Sequence, residues 1–241
     1  KSIIGTNNDS VASLSSYKYK ARLSGPNLSS FNGINMLKKR WLIPSALYFI
    51  FFLWYTNISG PMSEAEINTV IGRIDSGKTS ISAEDREDFL KFLRQDDGGD
   101  FYMVNFLDIN ENPPTMEMTG ENASAFDLLD HYMEYMYPEL FIRASHPVFG
   151  GTVSAKAIDH IGAKETKEWD QVGIMRYRSI RDMMEIANNE IFSERHEYKT
   201  NALLKTIAIP VSAPIFFDFR IIVFMFLLSI TLIIDRLINR K

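Results

Sequence analysis

Two uncharged apolar segments with basic flanks, one near each end of the 241-residue chain, constrain this sequence more than any other feature. The first runs from Trp41 to Tyr55 directly after the basic run 38–40, and uncharged polar residues extend it to position 59. The second runs from Ile221 to Ile234 and precedes a basic end. An apolar helix of about 20 residues is long enough to span a bilayer. We predict transmembrane helices over 38–59, as a signal anchor, and over 215–236. The alternatives are a buried core helix for the first segment and an interfacial or core helix for the second.

The charge distribution supports an orientation. Residues 1–40 carry seven basic and one acidic side chain, residues 41–217 carry 15 and 27, and residues 218–241 carry four and two. Basic flanks stay in the cytoplasm. We therefore expect a protein of the cell (inner) membrane, in contact with the lipid bilayer, with its acidic middle part on the exported, periplasmic side.

The chain divides into six parts on these grounds. We predict a disordered or upstream tail at 1–37, the signal anchor at 38–59, a helical linker region at 60–95, a folded domain at 96–212, the second span at 215–236 and a basic cytoplasmic end at 237–241. In the linker region, the capping box Ser63–Glu66 opens one helix and Ser82 opens a second.

A phosphate-binding motif is matched by Gly72–Thr79, GRIDSGKT, which has the spacing G-x-x-x-x-G-K-[ST]. A genuine P-loop follows a strand and opens a helix, whereas the capping box at Ser63 starts a helix through this stretch. We therefore interpret the segment as a helix that Gly77 ends in a polar turn.

Other classes of site are excluded or unsupported by composition. The chain has no cysteine, so disulfides, thiolate zinc sites and cysteine nucleophiles are excluded. Its four histidines show no metal-binding spacing, and two of them, His146 and His196, are expected at the surface. We expect no metal, no cofactor and, given the acidic middle part, no nucleic-acid partner. The catalytic residues, if any, are unknown from sequence.

The pattern of the folded domain predicts an α+β fold. Phe101–Ile109 reads as a strand with both alternating sets largely apolar, which indicates a strand covered on both faces. Further strands are expected over 152–158, 169–177 and 205–212, and helices over 122–137, 180–188 and 193–204, with Pro138 ending or kinking the first. The order βαββαβ is ferredoxin-like, with helices on one sheet face and the other face available to a second sheet.

Three phrases of this domain carry a resemblance to a known family: the run 96–106, DDGGDFYMVNF; the pair Gly150-Gly151; and the run 169–179, WDQVGIMRYRS. They resemble the DUF1330 family of dimeric α+β barrel proteins over about residues 96–211. The resemblance implies a homodimer in which two four-stranded sheets close face to face into a barrel. Related barrels include monooxygenases, isomerases, haem-degrading enzymes and binding proteins, so the resemblance implies no particular activity.

Four residues are candidates for contact with a small, mostly apolar ligand. Asn105 is a polar side chain within the first strand, on the side of Met103 and Leu107, and a buried amide must find hydrogen-bond partners. Arg176, Trp169 and His131 are its expected companions in a pocket. Pairing of Asn105 and Arg176 with protein neighbours, and exposure of His131 to water, are the alternatives. The sequence thus leaves two hypotheses: a ligand-binding or enzymatic barrel anchored to the membrane, and a non-catalytic interaction module of an envelope membrane assembly.

Overall fold

The computed structural model describes residues 28–76, 85–162, 166–212 and 218–239. The chain folds into seven helices and four strands within these ranges. The helices are α1 (Leu28–Tyr55), α2 (Glu64–Asp75), α3 (Arg86–Arg94), α4 (Ala125–Ile142), α5 (Ile180–Ala187), α6 (Glu190–Asn201) and α7 (Phe219–Asn239). The strands are β1 (Phe101–Ile109), β2 (His146–Thr152), β3 (Gln171–Tyr177) and β4 (Leu203–Val211).

The four strands form one antiparallel sheet in the order β2-β3-β1-β4. Helix α4 connects β1 to β2, and the consecutive helices α5 and α6 connect β3 to β4. This is the ferredoxin-like arrangement that the sequence pattern predicted. The α+β class and the position of β1 are confirmed, because long, strongly periodic segments report their own secondary structure.

Two predicted boundaries are wrong. The second strand was expected over 152–158, but β2 covers His146–Thr152, and the pair Gly150-Gly151 lies inside it. Phe149 lies close to Gly151, where a side chain would meet its ring at 3.2 Å, whereas a side chain at Gly150 would meet open space. Pro138 does not end α4, which continues to Ile142.

Local side-chain caps explain where several helices begin. Ser63 and Glu66 form a capping box at α2, and Ser124 and Asp127 form another at α4. Because α2 runs to Asp75, Gly72 lies in a helix, as the interpretation against a P-loop required. Residues 77–79 of that motif and Ser82, the predicted start of the next helix, lie outside the described residues; α3 begins at Arg86.

The core lies between one face of the sheet and the helices α2 to α6. Odd-numbered residues of β1 point to this side, where Phe101 stacks on Tyr177 at 5.4 Å between ring centroids. The buried helical side chains that complete the core include Ile67, Leu93, Leu128, Leu140 and Ile186. We call this side of the sheet the helix face.

The opposite side, which we call the open face, carries apolar residues in register across all four strands. One row joins Phe149, Ile174, Val104 and Ile209, and the next joins Gly151, Val172, Phe106 and Ile207. Phe149 is 55% exposed and Ile209 is 45% exposed. Strand β1 is therefore apolar on both sides, as predicted; on its helix face Phe101 is buried by the helices and Met103, Leu107 and Ile109 are partly buried.

Helices α1 and α7 form an antiparallel pair. Tyr48 contacts Phe224 at 5.4 Å between ring centroids, and Arg40 pairs with Asp235 at 3.1 Å at the end remote from the sheet. Among the described residues, α7 is the helix that is long and apolar enough to cross a membrane. Helix α1 begins at Leu28, ahead of the predicted boundary at 38. Each residue added to a helix that has already formed gains one hydrogen bond, which favours extension toward the N-terminus. Residues 1–27 of the predicted tail lie outside the described residues.

Candidate functional site

The structure distributes the four predicted ligand-binding residues over separate places. Asn105 lies on the helix face, as its spacing from Met103 and Leu107 suggested. Arg176 pairs with Tyr102 in register and therefore lies on the open face. The two were expected in one pocket, and this is wrong because the register between β1 and β3 puts them on opposite sides of the sheet.

Asn105 has small neighbours across both adjoining strands, Gly173 on β3 and Ala208 on β4. Its Nδ2 donates to the carbonyl oxygens of Met103 at 3.1 Å and Gly173 at 3.4 Å. Within the described part of the chain, no donor reaches its Oδ1. The amide is thus half satisfied by the main chain, and space beside it is left by its small neighbours.

Trp169 and His131 contact different parts of the domain. Trp169 packs on Phe106 and Lys205 at the end of the open face remote from Arg176. His131 lies on α4, and its Nδ1 is 2.9 Å from the Arg195 guanidinium of α6 and 3.3 Å from the Glu134 carboxylate. Ligand contact at these residues stays a prediction.

Arg176 is the largest fully buried side chain among the described residues, at 1% exposure. Its Nε donates to Asp100 at 2.9 Å, and its two terminal nitrogens donate to the carbonyl oxygens of Ala144 and Tyr55 at 2.8 and 3.2 Å. Its Cζ lies 3.8 Å from the centroid of the Tyr55 ring. Arg176 is thus paired with an acidic neighbour, Asp100, which was the alternative to ligand contact at this residue.

His146 joins the same group of side chains. Its Nδ1 lies 3.1 Å from the Pro147 carbonyl oxygen and its Nε2 lies 2.7 Å from the Tyr55 hydroxyl. A carbonyl can only accept, so Nδ1 donates to Pro147. The expectation of a surface loop position for His146 is wrong, because β2 begins at this residue and brings it against α1.

Arg220, at the start of α7, completes the group. Its guanidinium lies 3.6 Å from Asp100 and 6.0 Å from the Tyr55 ring centroid. One carboxylate therefore faces two arginines that come from the sheet and from a terminal helix. We call Tyr55, Asp100, His146, Arg176 and Arg220 the junction cluster.

Arginines also satisfy the end of α1. The last carbonyl oxygens of a helix have no partner within the helix and carry its negative dipole end. Arg178 donates to the Trp54 carbonyl oxygen at 3.1 Å, as Arg176 does to that of Tyr55. Arg178 is itself held by both carboxylate oxygens of Asp182, each at 2.7 Å. Helix α1 is thus fixed to β3 by charge-assisted hydrogen bonds.

The chain that leaves α1 docks on the loop before β1. Asn57 donates to the carbonyl oxygens of Gly60 and Gly98 at 3.1 and 2.9 Å. Gly98 has φ +79°, and a side chain there would lie 2.5 Å from the carbonyl carbon of Gly60. Arg181 adds hydrogen bonds to the carbonyl oxygens of Gly60 and Pro61. Gly98 of the 96–106 run therefore permits this close approach.

The side chains of the junction cluster bond one another and hold the terminal helices against the sheet. Both ring nitrogens of His146 are engaged, and Arg176 is held by three acceptors, so neither is placed to exchange a proton with a ligand. No group of three or more His, Asp or Glu side chains able to hold a metal ion occurs among the described residues. Hollows of about 320 Å³ beside α3 and about 420 Å³ beside Phe149 are open to solvent, and none of the four predicted residues lines them.

Sequence reasoning missed most of the junction cluster. Tyr55 was assigned to a membrane segment, and Asp100 and Arg220 were not singled out. The hydrogen bonds of Arg176 to Asp100 and to Tyr55 join residues 76 and 121 positions apart. One signal was present: charged residues stand directly at the ends of both apolar segments. His196, also expected at the surface, is half-buried beside Tyr132 and Phe192, and burial lowers its pKa.

Comparison with known proteins leaves the activity open. No family model matches the chain, and no curated protein matches it. A crystal structure of a protein of unknown function from Rhodopseudomonas palustris is 18% identical, with a TM-score of 0.43 over 53% of this chain and 92% of that chain. A dimeric protein of unknown function and ferredoxin-like fold from Bacteroides fragilis is 9% identical, with a TM-score of 0.31 over 48% and 97%. The resemblance to DUF1330 stays a prediction.

Proposed function

We propose that this chain is a membrane-anchored homodimer that serves as a non-catalytic interaction module of an envelope membrane assembly. The observation that carries the proposal is the open face. Its two apolar rows contain no charged side chain, and Phe149 and Ile209 are about half exposed in the single chain. A contiguous exposed apolar surface of this kind marks an interaction site. A second copy would cover it by packing sheet on sheet.

The terminal helices support anchoring by both ends of the chain. Fifteen residues separate Arg40 from Tyr55 and Arg220 from Asp235, so each helix offers an apolar stretch of about 22 Å between charged levels. This is shorter than a hydrocarbon core of about 30 Å, and arginines at the ends can extend their side chains to the headgroups. The basic residues at 38–40 and 236 then lie at the cytoplasmic end, with the domain on the periplasmic side.

The structure favours an interaction module over an enzyme. An enzyme of this size needs polar groups that converge in an enclosed cavity. In the described ranges the predicted ligand-binding residues lie apart, and the buried polar groups of the junction cluster satisfy one another. Arg176, the charged residue among the four predicted ligand contacts, joins α1 to the sheet through Tyr55.

A second candidate, binding of a small apolar molecule, is favoured by Asn105 alone. It is a half-buried amide that has small neighbours on both sides and an Oδ1 that accepts from no described donor. A ligand with one hydrogen-bond donor and an apolar body would satisfy it.

One experiment tests both candidates: native mass spectrometry of the full chain extracted in detergent. We expect a mass of twice the 27.7 kDa chain, and a shift to monomer in Ile209→Lys, because a charge would be buried in the dimer. Ala208→Lys is the matched control, since its side chain is exposed on the other face of the same strand and should leave the dimer intact. A monomeric wild-type chain would refute the proposal. A co-purifying mass that is lost in Asn105→Ala would support the second candidate.

A further inference from the structure

The outward side of α4 changes its chemistry along the helix. Its first turns are acidic, with exposed side chains at Asp127, Asp130 and Glu134. The same spacing of three to four residues continues this stripe with Tyr137 and Phe141, which are 55% and 69% exposed. Ile142 beside them is 65% exposed. We call Tyr137, Phe141 and Ile142 the α4 tip, a group of large apolar side chains that point away from the core.

The α4 tip lies against the last turn of α1. The Phe141 and Trp54 ring centroids are 5.4 Å apart, and Nε1 of Trp54 donates to the Ile142 carbonyl oxygen at 3.3 Å. Trp54 directly precedes Tyr55 of the junction cluster, at the end of the apolar stretch of α1. Tryptophan is enriched where membrane-spanning helices meet the headgroups. The tip therefore continues the apolar surface of α1 at its outer end.

The charges of α4 separate the two ends of the helix. Glu139 and Arg143, the charged residues next to the tip, pair with each other at 2.5 Å, and their side chains are only 25% and 20% exposed. The tip can thus enter a headgroup layer without an unpaired charge. The exposed carboxylates from Asp127 to Glu134 keep the first turns of the helix in water.

We propose that Tyr137, Phe141 and Ile142 insert into the headgroup region of the leaflet that faces the folded domain, so that the end of α4 is a third lipid contact beside α1 and α7. This inference rests on the proposed anchoring by the terminal helices. The apolar side of a helix that lies at an interface enters it by about 5–10 Å, which is the reach of these side chains. A contact to one side of the helix pair also restricts rotation of the domain about that pair.

The test places single cysteines in the full chain, which has none of its own. Phe141→Cys and Phe226→Cys, the latter within α7, are labelled with an environment-sensitive fluorophore and reconstituted in vesicles of phosphatidylcholine and phosphatidylglycerol. Phe126→Cys is the matched control, because this residue is 53% exposed and lies about 22 Å away at the other end of α4. Tyr137→Cys gives a second label position within the tip.

Nitroxide lipids then report the depth of each label. We expect a nitroxide on the headgroup to quench the labels at positions 141 and 137 several-fold more than the label at position 126. A nitroxide at the end of the acyl chain should quench the label at position 226 most. All four substituted side chains are more than half exposed, so the fold should be retained.

The outcomes separate this inference from the proposed function. Quenching at position 226 with none at 141 or 137 would overturn the third contact and leave the anchoring standing. Equal quenching at positions 126 and 141 would also overturn it. A label at 141 that is shielded in native membranes but unquenched in lipid vesicles would assign the tip to a protein partner instead. The absence of quenching at every position, 226 included, would overturn the anchoring as well.

Discussion

Replacing Arg176 with Met tests how strongly the junction cluster holds the terminal helices to the sheet. Met keeps most of the length of the side chain but removes its charge and every donor. The substitution deletes the bonds to Asp100, to the Ala144 carbonyl and to the Tyr55 carbonyl, and it removes the cation from the Tyr55 ring. Two main-chain acceptors and a carboxylate lose a partner together.

The expected loss in the free energy of unfolding is large because Arg176 is buried. Removing one member of a buried ion pair destabilises a protein by about 3–5 kcal/mol. Asp100 retains Arg220 at 3.6 Å and is 25% exposed, so the lower end of this range applies. For a chain of 150–250 residues, 1 kcal/mol corresponds to about 2–4 °C in Tm, and a loss of about 3 kcal/mol predicts a decrease of about 6–12 °C.

The assay is thermal unfolding of the full chain in detergent, followed by tryptophan fluorescence. Arg86→Met is the matched control, because Arg86 pairs with Asp75 and the two side chains are 37% and 53% exposed. Exposed pairs contribute little to stability, so the control should lower Tm by much less than Arg176→Met does. Equal shifts in the two variants would refute the argument that burial at the junction cluster sets the stability of this joint.

Two further substitutions test the loop and the charge pairs of α2. Gly98→Ala should destabilise the fold by about 1–3 kcal/mol, since φ is +79° and the new side chain would collide with the Gly60 backbone. Gly72→Ala, inside α2, should be neutral or stabilising by up to about 1 kcal/mol. Thermal unfolding compares the two variants, and equal effects on Tm would contradict the reasoning. Hydrogen bonds from Arg181 and Ser63 lower the pKa of Glu66 to about 2, from an ordinary 4.5. Its stabilisation is complete above pH 4.5 and is lost as pH falls toward 2, so the Tm difference between the wild-type chain and Glu66→Gln should shrink over that range. A difference that does not change with pH would refute this assignment.

Elements whose signal is local could be predicted from the sequence. The β1 boundaries, the capping box at Ser63 and the βαββαβ order follow from alternation and caps, which act over a few residues. The placement of β2 failed because a Gly-Gly pair predicts a turn locally, whereas pairing with β3 draws Gly150 and Gly151 into the sheet.

The sequence by itself determined that this chain has two apolar helical segments around an α+β domain with one sheet face left to cover. The tertiary structure alone decided what the charged residues do. Strand register puts Arg176 and Asn105 on opposite faces, and the path of the chain brings Tyr55 to Arg176 across 121 positions. Register and distant contacts depend on which strands pair, and no local pattern in one strand carries that information.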